Sequence, residues 1–126
     1  MVCQEHSPEA LLYLQDFRLG KFAIVVPTLL FYELGNALIT KKAASHYVGK
    51  IMETLHNLHL EMIDIGFEAF RKVFQNAQEY GITFYDASYV TLMQKENCDF
   101  ITADRKLYRK INKKSAGVKL LGASEN

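Results

Sequence analysis

Apolar positions along the chain fall into two patterns that alternate. A short unbroken run at Phe22–Val26 reads as a strand buried on both faces, and Leu60–Ile65, Phe100–Thr102 and Val118–Leu121 read as further brief strands. Between them lie stretches with three-and-four spacing. Ser7-Pro8-Glu9 opens the first helix, with a hydroxyl at the cap, proline in the first turn and an acid on the positive end of the dipole. Leu11, Leu14 and Phe17 stripe it, and Gly20 closes it. Pro27-Thr28 opens a second helix that is apolar almost all round: Leu29, Leu30, Phe31, Leu34, Ala37, Leu38 and Ile39. Such a helix is expected to be buried on most faces. Ala44, Val48, Ile51, Leu55 and Leu58 mark a third, and Phe67, Phe70, Phe74 and Ala77 a fourth, ended by Gly81. A fifth spans about Tyr85 to Glu96, and a sixth about Arg105 to Asn112. Strands alternating with helices predict an α/β fold with a largely parallel sheet. No repeat, linker or low-complexity tract interrupts it, so residues 1–126 read as a single domain.

In such sheets ligands bind beyond the carboxyl ends of the strands. Three acids fall there. Glu33 is the polar exception on the apolar second helix, where an ionised carboxylate without a partner would be costly. Asn36 shares its face at i+3. Asp86 shares a helical face with Tyr89, Val90 and Met93, and Asp104 leaves the Phe100–Thr102 strand. Plainer readings stand beside each: a salt bridge or solvent-edge position for Glu33, and an N-cap for Asp86 or Asp104. Taken as a set, three converging carboxylates repel one another unless a cation holds them. All-oxygen donors favour Mg²⁺ or Mn²⁺, ions suited to phosphoryl chemistry.

Charge adds one asymmetry. Net charge is +1, yet residues 105–114 hold six basic residues and no acid, leaving nine basic against fourteen acidic elsewhere. Arg105, Lys106, Arg109, Lys110, Lys113 and Lys114 line one side of the last helix, starting beside Asp104. Either they form a solvated face or they contact a phosphate backbone. Two cysteines, Cys3 and Cys98, build no disulfide framework, as expected of free thiols in a reducing cytoplasm. The longest apolar run, Phe22 to Tyr32, is too short to span a membrane and contains Pro27; the N-terminus has no signal-peptide pattern. His56 and His59 lack the Cys or His partners that would suggest zinc.

Residues 27–38 (PTLLFYELGNAL), 85–90 (YDASYV) and 101–104 (ITAD) resemble three motifs of the PIN domain, with the nearest likeness to VapC-type toxins of prokaryotic toxin–antitoxin pairs. The resemblance implies a three-layer α/β/α fold and a Mg²⁺- or Mn²⁺-dependent endoribonuclease. It also implies a homodimer and an antitoxin protein that holds the toxin inactive. Carried onto this chain, it makes Glu33, Asp86 and Asp104 the catalytic and metal-holding acids, supported by Asn36 and Thr102, with Arg105, Lys106 and Arg109 against RNA. The family opens with a strand ending in aspartate, and this chain begins at Met1-Val2-Cys3-Gln4-Glu5, too late to contain it. The alternatives are a PIN-like domain that binds RNA or an antitoxin without catalysis, and an α/β interaction domain whose acids are caps and surface pairs.

Overall fold

The computed structural model describes residues 15–17, 19–20, 23–115 and 117–121. Among them, β1 (Val25–Pro27) leads into α1 (Leu29–Thr40) and α2 (Ser45–Leu58), then β2 (Glu61–Ile63). A 3-10 turn at Phe67–Ala69 runs into α3 (Phe70–Tyr80) and α4 (Phe84–Glu96). The chain ends with β3 (Phe100–Thr102), α5 (Arg105–Asn112) and β4 (Val118–Leu120). Most of the expected first helix, including Leu11 and Leu14, lies outside the described residues, as do Met1–Glu5 and Phe22; residues 15–17 are helical.

The strands are parallel, as expected, but they form two pairs. β1 lies beside β2 with Val25 opposite Glu61, and β3 lies beside β4 with Phe100 opposite Val118. Each pair is closed by a helical crossover, which parallel neighbours require. Among the described residues no ladder joins the pairs into one sheet. The first strand also starts later than its apolar run suggests and includes Pro27. Thr28 N donates to Ile63 O at 3.0 Å. Since alternate residues face opposite edges, the Pro27 nitrogen points away from β2 and no bond of that ladder is lost.

The core sits in the second half of the chain. Tyr80, Val90, Met93, Phe100, Leu107, Ile111 and Val118 pack as one cluster, with Val90 and Ile111 fully covered. α3 and α4 supply one wall and α5 another. Gly81 ends α3 in the left-handed region at φ 64°, where a Cβ would be strained. The buried face of α3 is Val73, Asn76 and Tyr80. The Phe67, Phe70 and Phe74 stripe is outward, Phe67 being 92% exposed. The reason is local and polar: Asn76 Nδ2 donates to Thr91 Oγ1 and to Gln94 Oε1, both at 2.9 Å, so a satisfied amide occupies the contact with α4.

The expectation for α1 is overturned. None of its residues is buried; Phe31 is 66% and Ile39 79% exposed. Its apolar residues and those of α2 instead line an open groove of about 970 Å³, with Asn36 on its wall. Hydrophobicity alone could not distinguish a helix enclosed by neighbours from one with a bare flank.

Candidate metal and nucleic-acid site

α4 carries the most buried of the three candidate acids. Its N-cap is Thr83, whose hydroxyl accepts from Asp86 N at 3.0 Å. Asp86 is therefore the third residue of the helix and not its cap, correcting the plainer reading of that acid. The cap leaves the Asp86 carboxylate half-buried near the positive end of the helix. Burial pushes the Asp86 carboxyl above its ordinary range, and the negative charges of Asp104 and Glu33 push it further; Thr83 and Lys110 act the other way. A residue on α1 and one after β3 thus both repel Asp86. The three acids named from sequence share one field.

Asp104 has a second task. Its Oδ1 accepts from Leu107 N at 3.0 Å, capping α5, so the N-cap reading of this acid is correct. Its other oxygen is not committed by that bond. Thr102, buried at the end of β3, accepts from Asp104 N at 3.1 Å and fixes the turn that presents the acid. Asn36, expected behind Glu33, borders the apolar groove.

Glu33 is exposed, and its anchor is a residue that the sequence reading placed on the Asp86 face without a role. Tyr89 Oη donates to Glu33 Oε1 at 2.5 Å. The Tyr89 ring stacks on Phe100, with centroids 5.8 Å apart and planes 11° from parallel. Burial, the bond to Glu33 and the charges of Glu33 and Asp86 all raise the Tyr89 hydroxyl, keeping it a neutral donor. The available signal was the i+3 step from Asp86. A second unforeseen contact is Thr28 Oγ1 to Asp64 Oδ1 at 3.2 Å, at the ends of β1 and β2. It borders a cleft of about 570 Å³ that also includes Tyr32, Phe70 and Tyr85.

The basic helix divides by use. Lys110 Nζ donates to Gly81 O at 2.9 Å and Lys114 Nζ to Glu79 O at 2.8 Å, tying α5 and the turn that follows it to the carbonyl end of α3. Arg105, Lys106 and Arg109 are exposed beside Asp104.

No three His, Cys, Asp or Glu side chains among the described residues stand close enough to grip one ion together. Carboxylate oxygens are nonetheless the donor type that a hard cation takes. Mg²⁺ keeps several waters and commonly takes only one or two carboxylates directly, so three mutually repelling acids need not all touch it. Softer chemistry is unsupported. His56 and His59 rings lie 6.2 Å apart with no third ligand among the described residues, and the Cys98 thiol is raised by partial burial and by Glu96 and Asp99.

With that geometry in place, comparison with known proteins is decisive on ancestry. The profile of the PIN domain matches residues 6–113. The chain belongs to the PIN domain family. A relative named Exonuclease VapC9, from Pyrobaculum aerophilum, is 33% identical over 98 residues, covering 71% of this chain and 67% of its own. No solved structure matched. The VapC-type resemblance and the PIN-like α/β/α class expected from the three motifs hold, and a nuclease of the PIN family is the activity class they support. No described helix is long and apolar enough to cross a membrane.

Proposed function

We propose that this chain is a divalent-metal-dependent ribonuclease, the toxin of a toxin–antitoxin pair. The observation that carries the reading is geometric: Tyr89, one helical turn after Asp86 on α4, hydrogen-bonds Glu33 on α1, so acids from two separate helices are brought to one place. Glu33 on α1, Asp86 on α4 and Asp104 just after β3 all bear on one another electrostatically, and Asp104 leaves the carboxyl end of a strand, where a parallel fold places its ligands. Family membership and the VapC9 relative support a nuclease; the hard-oxygen donors support Mg²⁺ or Mn²⁺.

When bound, the ion supplies Lewis acidity toward a phosphate and makes water a better nucleophile. The chain's own residues do the rest. Asp86 is half-buried, and both burial and the charges of Asp104 and Glu33 disfavour its ionised form, which a cation beside it would relieve. Thr102 and the α5 cap hold Asp104 in place. Arg105, Lys106 and Arg109 give the RNA backbone a cationic rail beginning at the acids, so binding weakens as salt rises. Asn36, one helical turn after Glu33 on α1, supports it in the same reading. A homodimer, an antitoxin protein and a cytoplasmic setting belong to the same reading; light scattering tests the first.

The relative is called an exonuclease, whereas the motif resemblance implies internal cleavage. End-blocked and circular labelled RNA in Mn²⁺ separates the two, since only an endonuclease opens a circle. In the same assay Asp86→Asn is expected to lose at least about 100-fold in rate with its melting unchanged or raised. Cleavage at the parent rate would end the proposal. A second reading, a PIN domain that binds RNA or antitoxin without cutting, is favoured by the lack of a three-ligand cluster among the described residues. It predicts no rise in melting temperature on adding Mn²⁺, whereas an occupied site raises it.

A further inference from the structure

We infer that Tyr89 is the positioning residue of the site: its hydroxyl holds Glu33 in place for the cation, and its ring ties that acid to the buried half of the molecule. The inference rests on the metal-site reading above and adds to it a residue outside the acidic motifs.

Glu33 needs such a holder. It projects from a helix with no buried residue, and a free glutamate samples several rotamers that ion binding must freeze, at up to about 2 kcal/mol of side-chain entropy. Tyr89 removes part of that freedom in advance. Its Oη donates to Glu33 Oε1 at 2.5 Å across 56 positions of sequence, leaving Oε2 outside this bond. The ring is itself fixed, stacked on Phe100, which is a buried member of β3 and of the core cluster. A chain of contacts therefore runs from the core, through Phe100 and Tyr89, to the acid on the exposed helix. Being neutral, the phenol orients the carboxylate without cancelling its charge, as a cationic partner would. Asp86, one helical turn before Tyr89 on α4, brings the other acid to the same place.

Tyr89→Phe keeps the ring and deletes the bond. Mn²⁺ binding, followed by the electron paramagnetic resonance of the free ion, is expected to weaken about tenfold, the lower end for loss of a ligand's outer partner. Melting in EDTA checks that the fold is kept. In the cleavage assay the concentration of Mn²⁺ for half-activation rises while kcat at saturating Mn²⁺ stays within about twofold. Because Tyr89 acts through Glu33, Tyr89→Phe on a Glu33→Gln background adds no further loss; independent, multiplying losses overturn the inference. So does parent-like or tighter binding by Tyr89→Phe. In the unmutated protein, Mg²⁺ should shift the ring-carbon resonance of Tyr89 beside the hydroxyl, and no shift overturns the inference without any variant. The arms separate two failures. If Glu33→Gln and Asp86→Asn both weaken Mn²⁺ binding and Tyr89→Phe does not, only the role of Tyr89 falls. If neither acid matters, the metal-site reading falls and takes Tyr89 with it.

Discussion

The two halves of this chain contain similar apolar material and use it differently. From α3 to β4, apolar side chains close around Val90 and Ile111, both fully covered. In the α1–α2 half, two helices totalling 26 residues bury none, and of the residues of β1 and β2 only Val26 and Pro27 are buried. What separates them is partners. α3, α4 and α5 each meet two or more neighbours, whereas α1 and α2 face each other across an open groove. Burial is a property of an arrangement, and hydrophobic content only makes it favourable.

That contrast can be broken most directly at its extremes. Ile111→Ala should cost about 2–5 kcal/mol in urea unfolding, because the methylenes lost come from a closed site. Ile39→Ala, on the exposed helix, should stay within about 0.5 kcal/mol. Equal losses would mean that the groove is closed in solution.

A step smaller is Asn76→Leu, which swaps a satisfied buried amide for an apolar group. Gln94 is exposed and its amide oxygen turns to water, while Thr91 keeps its bond to Ala87 O, so only the net value of the lost hydrogen bonds, about 0.5–1.5 kcal/mol, should disappear. A neutral result would show that shape alone selects the inner face of α3. At Asp104 two substitutions separate cap from charge. Asp104→Ala should cost about 1 kcal/mol through the α5 cap, and Asp104→Asn should keep that stability. Both should weaken Mn²⁺ binding in calorimetry; an Asn variant that binds normally would leave Asp104 a cap and nothing more.

The smallest effect is a pH dependence. The folded Asp86 carboxyl is raised, so the folded state holds its proton more tightly than the unfolded state. Ionised Asp86 therefore subtracts from stability at neutral pH, and the loss is recovered as pH falls through the raised pKa toward the ordinary value. Solvent screening keeps this small. Asp86→Asn should raise the metal-free melting temperature at pH 7 by about 2 °C and flatten its acid-side pH profile. A variant melting lower than the parent at pH 7 would mean that the acids are held by an attraction outside the described contacts.

Much of the site was written locally. A threonine three residues before Asp86, a threonine two residues before Asp104 and an acid in the residue after Ala103 are short-range arrangements, and short-range hydrogen bonds follow from spacing. The strand and helix around Phe100–Asn112 appear where periodicity puts them, because that segment is bounded by Asp104 and packs one clear face. Lys110 and Lys114 were not distinguishable from their neighbours in the basic stripe. Only the position of the α3 end gives them carbonyls to hold.

By itself, then, the sequence determined the α/β alternation and the family through its three motifs, and it placed Thr83 and Asp104 where they cap α4 and α5, all matters decided within about a dozen residues. Tertiary structure decided which apolar faces are covered, which lysines are spent on carbonyls, and that Tyr89 meets Glu33 from 56 residues away. The reason is the range of the forces. Propensity, capping and periodicity act between neighbours in the chain, whereas burial and long-range hydrogen bonds depend on which elements the fold brings side by side.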